Sequence, residues 1–219
     1  MDAIENKKPS PDQRRAAILS IAYREFMREG YSATSMSQIA ALVGGSKATL
    51  YNYFPSKKDL FFAIAEREGA RIFGQIVYPR DNGEPFEVTL VDLARNFLAT
   101  LLSDETIAAF RLVAAESVRF PEVGRAAHDL AVVREAERLA TYFRKAMERG
   151  ALRHGNPRAA ADLFFDLTTG MPHTQRLWNV VDGFSAKAIE AEARRVARDF
   201  LAVYGNDALS RLARQQADD

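Results

Sequence analysis

The run GGSKATLYNYFPSKKDL, Gly44 to Leu60, decides how this chain is read. It interleaves two glycines, two tyrosines, a Phe-Pro break and three lysines within one short stretch. Gly44-Gly45 breaks a preceding helix, and Ser46 is the natural N-cap of a short helix running through Tyr53. Phe54 stands before Pro55, and a residue in that position is pushed out of the helical region, so the helix stops there. Ser56 followed by Asp59 forms a capping box that opens a long helix through Leu60, Ile64 and Ile72 toward Val77.

Upstream, SPDQ (Ser10 to Gln13) supplies an N-cap, a proline at the first helical position and a capping-box glutamine. Ile18, Ala22 and Phe26 recur at four-residue spacing, and Gly30 ends that helix. Thr34 or Ser35 caps a second, short helix containing Ile39 and Ala40. Two short helices joined by a glycine turn and braced by an N-terminal helix make a helix-turn-helix. Its chemistry suits nucleic acid. Lys47 reaches guanine O6 and N7, and Thr49 offers a hydroxyl and a methyl to a base edge. Tyr51, Tyr53 and Lys57 supply hydroxyl donors and a point charge for phosphates. Two residues apart on a helix, Tyr51 and Tyr53 cannot share one face, so at least one of them is expected to be exposed. Leu50 and Phe54 turn instead toward Ile39 and Ala40.

The segment GYSATSMSQIAALVGGSKATLYNYFPSKKDLF, residues 30–61, resembles the DNA-binding domain of the tetracycline-repressor (TetR) family, and the likeness runs without gaps from about Arg14 to Ile64. RLVAAESVRFPEVGRAAHD, residues 111–129, is similar to the body of the AefR-like branch. The resemblance implies a homodimeric cytoplasmic transcription regulator, usually a repressor, released from a palindromic double-stranded DNA operator by a small molecule. Thr34, Ser35, Ser46, Lys47, Thr49, Tyr51, Tyr53 and Lys57 match the motif positions that touch DNA. One departure stands out. The family turn reads glycine then a β-branched apolar residue, whereas here it is Gly44-Gly45. The second glycine gives up a packing contact and adds backbone freedom, on the order of 1 kcal/mol.

Composition agrees with this reading and narrows the rest. The 219 residues are 47% hydrophobic, enough for a substantial core, and contain no cysteine, which removes disulfides, thiolate metal sites and cysteine nucleophiles. The start lacks an apolar signal region and no run approaches a membrane-spanning length, so a membrane partner is not expected. Net charge is +1, but the first 58 residues hold nine Lys and Arg against five Asp and Glu, leaving the remainder net negative. The positive end is where a polyanion docks. GGSKA faintly echoes a nucleophile elbow, but a helix precedes its serine, the last glycine is alanine and no triad is apparent. An all-α enzyme is therefore a remote alternative. His128, His154 and His173 form no metal motif, and neither a metal nor a cofactor is expected. Effector-independent architectural DNA binding is the nearer rival.

No stretch alternates with period two, so the fold class is all-α: a helix-turn-helix domain with an N-terminal arm over 1–56, a helical effector and dimerisation bundle over 57–205, and a tail over 206–219. Helices are expected over Phe86–Leu102, Asp104–Arg119, Pro121–Arg149, Pro157–Val181 and Ala186–Val203. Phe97, Leu101, Phe110, Val113, Tyr142 and Phe143 stand on faces suited to lining an apolar effector cavity, with solid core packing as the plainer alternative. The helix bearing Phe164, Phe165, Met171 and Trp178 is apolar around much of its circumference. Paired with Val196 and Phe200 of the last helix, and with the same helices of a second copy, it would form a four-helix dimer interface. Pro172 is expected to kink it.

Overall fold

The computed structural model describes residues 10–80 and 83–206. The N-terminal arm with Lys7 and Lys8, and the tail from residue 207 onward, lie outside the described residues. The elements are α1 (Pro11–Glu29), α2 (Met36–Val43), α3 (Lys47–Tyr53), α4 (Lys57–Gly74), α5 (Phe86–Leu101), α6 (Asp104–Ser117) and α7 (Pro121–Ala127). A π-helical turn, His128–Val133, leads into α8 (Arg134–Glu148), followed by α9 (Pro157–Thr168), α10 (Met171–Leu177) and α11 (Ala186–Tyr204). Among the described residues no strand forms; Leu152 and Gly205 pair in an isolated antiparallel bridge.

The helix starts follow from local hydrogen bonding. Ser10 and Gln13 make the reciprocal capping box, as do Ser35 and Gln38. Ser46 accepts from the Thr49 N–H, Asn156 from the Arg158 and Ala159 N–H groups, and Ser185 from the Ala188 N–H. Each satisfies donors that the first helical turn leaves open, worth about 1 kcal/mol per cap.

The described residues divide into two compact units, one within 1–68 and 112–127, the other within 69–111 and 128–219. The first unit thus takes in the start of α4, the end of α6 and α7 along with α1 to α3. Its core is Ile18, Leu19, Ala22, Phe26, Ile39, Leu50 and Leu60, all nearly inaccessible. Tyr31 sits at a junction of rings, 5.4 Å from Phe26, 5.2 Å from Phe61 and 5.0 Å from Phe120.

The second unit packs α5 against α11 and α8 against α9. Phe97, Phe143, Phe164 and Phe200 are fully enclosed there, with ring separations from 4.7 Å (Phe143 to Phe200) to 5.8 Å (Phe164 to Phe200). Arg176 is buried yet well satisfied: its guanidinium donates to the Leu102, Val181 and Asp182 carbonyls and to Asp104.

Two long helices expected from periodicity are interrupted. The helix expected over 121–149 passes through the π-helical turn at His128–Val133. The one expected over 157–181 stops at Thr168 and restarts at Met171, with Pro172 in the first turn of the new helix rather than at a kink within one. The Thr168 hydroxyl donates to the Phe164 and Phe165 carbonyls, and the Thr169 hydroxyl to Phe165. Hydroxyls thus serve carbonyls near the helix end, and proline, lacking an N–H, opens the next helix where none is required.

Candidate nucleic-acid interface

The α2–α3 turn depends on Gly44, whose φ of 70° and ψ of 35° place it in the left-handed region. Its N–H reaches the Ala40 and Ala41 carbonyls, and the Gly45 N–H reaches Ala40 at 3.2 Å, closing the end of α2. Leu50, only 2% exposed, pins α3 to the core of the unit. Ser46, Lys47, Ala48, Tyr51 and Asn52 are left facing solvent. Tyr51 is 45% exposed while Tyr53 is half-buried, the division that their two-residue spacing requires. The Ser46 and Thr49 hydroxyls bond to one another at 2.9 Å, so the start of α3 presents them as a pair.

The expected contact residues therefore fall into two groups. Ser35, Ser46, Lys47 and Tyr51 are exposed, and Thr49 and Tyr53 partly so. Thr34 and Lys57 are engaged within the unit. Thr34 is 2% exposed and its hydroxyl donates to the Gly30 carbonyl at 2.9 Å, so it faces inward. The Lys57 ammonium donates to the Ser32 carbonyl at 3.3 Å and lies 4.3 Å from the centre of the Tyr31 ring. Burial pushes its pKa below the ordinary lysine value, with Glu116 opposing that shift.

Sequence reasoning missed the brace beneath this surface. Glu116 accepts from the Ser32 N–H at 3.0 Å, and Arg119 donates to the Ser32 hydroxyl at 3.1 Å. No short-range pattern reports a link between residues more than eighty positions apart.

In the second unit the residues expected to line a cavity take different places. Phe97, Leu101 and Phe143 are fully buried core. Tyr142 is half-buried, 5.5 Å from Tyr78, and Phe110 packs edge-on to His173 at 4.9 Å. Val113 belongs to the first unit. Of the expected partner-facing residues, Phe164, Val196 and Phe200 are enclosed in the protomer's own core, while Met171 and Trp178 are 68% and 74% exposed and Phe165 is half-buried. An aromatic or aliphatic side chain with no accessible surface has no area left to bury against a second copy.

Among the described residues no group of three or more His, Asp or Glu is placed to hold a metal, and no helix is long and apolar enough to cross a membrane.

Comparison with known proteins gives these two units their context. Residues 18–64 match the sequence model of bacterial regulatory proteins of the tetR family, and residues 88–206 that of the AefR-like transcriptional repressor C-terminal domain. The chain is 41% identical over 56 residues to the HTH-type transcriptional activator FasR of Mycolicibacterium smegmatis, a match covering 26% of each protein. Thus it spans only about a quarter of that curated relative's length. Similarity to solved structures extends much further. A TetR-family regulator from Mesorhizobium loti superposes with a TM-score of 0.80 at 28% identity, over 91% of this chain and 100% of that one. The flavonoid-responsive regulator FrrA does so with a TM-score of 0.80 at 31% identity, over 90% of this chain and 99% of its own. With its exposed α3 and an AefR-like body matched over more than half its length, this chain belongs to the TetR family of DNA-binding transcriptional regulators.

Proposed function

We propose that this regulator is a cytoplasmic homodimeric repressor that binds a near-palindromic operator and is released by an aromatic small molecule. The observation carrying the DNA half is the exposed face of α3: Ser46, Lys47 and Tyr51 turned to solvent while Leu50 locks the helix in place. Lys47 reads guanine, Thr49 a neighbouring base edge, and Ser35, Ser46, Tyr51 and Tyr53 fix the backbone register. The repressor sign is supported by the AefR-like repressor model matched by the body, although FasR carries the name of an activator.

For the dimer, Met171, Trp178 and Val180 supply the exposed apolar surface, next to an open groove of about 410 Å³ that Leu167, Pro172, Gln175, Glu192 and Arg195 help to line. A twofold dimer would present two copies of α3 to a near-palindromic operator. The effector class is supported by FrrA, described as flavonoid-responsive, and by the many aromatic side chains of the body. Both α4 and α6 carry residues assigned to each of the two compact units, which suits them to transmit effector binding as a coupling free energy.

The closed packing of Phe97, Leu101 and Phe143 favours a second reading, DNA binding without an effector. One experiment separates the two. The purified protein is titrated against the DNA upstream of its own gene, with an unrelated fragment as competitor, across a salt series and with a panel of flavonoids. Competitor-resistant binding, steeply weakened by salt and released by a panel member, supports the ligand-released regulator. Equal binding to both fragments, insensitive to the panel, supports the architectural role. A reporter that rises when the gene is deleted establishes repression, and one that falls would overturn it.

A further inference from the structure

Gly45 poses a question that its backbone does not answer. Unlike Gly44, it does not occupy the positive-φ region, so an L side chain is conformationally admissible there. What meets a side chain at this position is Arg14, from the first turns of α1. Its Nη2 lies 3.1 Å from the point that a Cβ on Gly45 would occupy. Arg14, Gly45, Ser46 and Thr49 line one shallow cleft over Ile18 and Leu50. A β-branched residue, usual in the family at this turn, would press on the guanidinium, which has to give by a few tenths of an ångström for the Cβ alone.

Among the described residues the charge placed there has no counter-charge. Arg14 makes no ion pair with a described residue. Arg67 pairs with Glu68 and Ser20, Arg28 with Glu25 and Glu29, and Arg119 with Ser32, whereas Arg24 and Arg125, like Arg14, make no ion pair with a described residue. Arg14 instead lies against the turn that leads into the recognition helix, beside the paired Ser46 and Thr49 hydroxyls.

We infer that Arg14 is a further DNA-backbone contact, seated by Gly45 beside the start of α3. A guanidinium presents a planar fork that meets two phosphate oxygens together, and holding its stem against a protein surface lowers the ordering cost of that contact. Gly45 then has a positive role. Its missing side chain admits the cation to a strand already approached by Ser46 and Lys47. This inference rests on the DNA-binding reading of α3.

The test uses the full chain and a fragment it enriches from sheared genomic DNA. Binding is followed by fluorescence anisotropy across a salt series for the wild type, Arg14→Gln, Arg14→Lys, Gly45→Val and the Arg14→Gln/Gly45→Val pair. Thermal melts of the same proteins separate a lost contact from a lost fold. One phosphate contact contributes a slope of about 0.9 in log K against log salt. Each copy of the proposed dimer loses one contact, so Arg14→Gln is expected to flatten the slope by about twice that per bound dimer at an unchanged melting midpoint, and Arg14→Lys to restore part of it. Gly45→Val is expected to give the same flattening, with no further loss in the pair, because both changes remove one interaction. A slope for Arg14→Gln equal to the wild type's overturns the contact. A flattening by Arg14→Gln that Gly45→Val does not reproduce overturns the seating role of the glycine. A wild type that enriches no fragment and binds no duplex overturns this inference together with the DNA-binding reading itself.

Discussion

The Glu116 carboxylate accepts the Ser32 N–H at 3.0 Å and also lies 2.7 Å from where a Cβ on Gly30 would stand. The loop between α1 and α2 therefore turns at a residue whose φ of 89° L side chains rarely adopt, with the flexible Glu116 carboxylate drawn in beside it. Gly30→Ala is expected to cost about 1–3 kcal/mol through backbone strain. Urea unfolding measures it. The companion Glu116→Ala removes the contact but not the strained φ, so Gly30→Ala in that background should still cost most of the same amount. If the loss vanished there, contact with Glu116 rather than backbone conformation would be its source.

Thr34 separates a motif reading from a structural one. Its hydroxyl is buried and donates to the Gly30 carbonyl, so Thr34→Val should lower stability by about 1 kcal/mol. The salt dependence of DNA binding should keep its wild-type slope, because no phosphate contact is lost. A flattened slope at full stability would return Thr34 to the interface.

How far the sequence speaks depends on the range of the interaction. The caps at Ser10, Ser35 and Ser46 were legible because donor and acceptor lie three residues apart. So was the separation of Tyr51 from Tyr53, since residues two apart on a helix cannot share one face. The break between α9 and α10 was not. A proline after an apolar run reads equally as a kink or as a new start, and the Thr168 and Thr169 hydroxyls decide it. Nor was the fate of Phe164, Val196 and Phe200. An apolar stripe shows that a face must be covered but not by what, and here the protomer's own helices cover it. The inward turn of Thr34 was hidden for a related reason, since a motif fixes a position in the chain and not the direction of its hydroxyl.

A buried charge in the second unit gives a prediction with a pH signature. Glu135, 1% exposed, accepts from the Tyr78 hydroxyl at 2.6 Å and from Arg138 at 2.7 Å. Burial pushes its pKa above the ordinary glutamate value, while Tyr78 and Arg138 oppose that shift. Tyr78→Phe removes one of the two donors and leaves the carboxylate worse satisfied, at a cost of about 1–3 kcal/mol at neutral pH. Losing that donor raises the folded pKa of Glu135 further, so the variant binds a proton earlier on acidification. The deficit should thus shrink as pH falls through the folded pKa, where the carboxyl becomes neutral in both proteins. Denaturant unfolding at pH 8 and pH 5 checks this, and a deficit that grows toward acid would contradict it.

His173 should impose the opposite pH dependence. The ring is 8% exposed, its Nε2 has no partner among the described residues, and it packs edge-on to Phe110 at 4.9 Å. Burial pushes its pKa below the ordinary histidine value. In the folded state the neutral form is therefore favoured. Above about pH 6.5 both folded and unfolded chains carry it neutral, and His173 has no effect on the slope. Below that value the unfolded chain takes up a proton that the folded one resists, so stability falls as pH drops until the folded pKa is passed. His173→Gln removes this dependence. The comparison is the drop in melting midpoint between pH 7.5 and pH 5.5, expected to be smaller in His173→Gln than in the wild type. Equal drops in the two proteins would mean that the folded chain accommodates the charged ring.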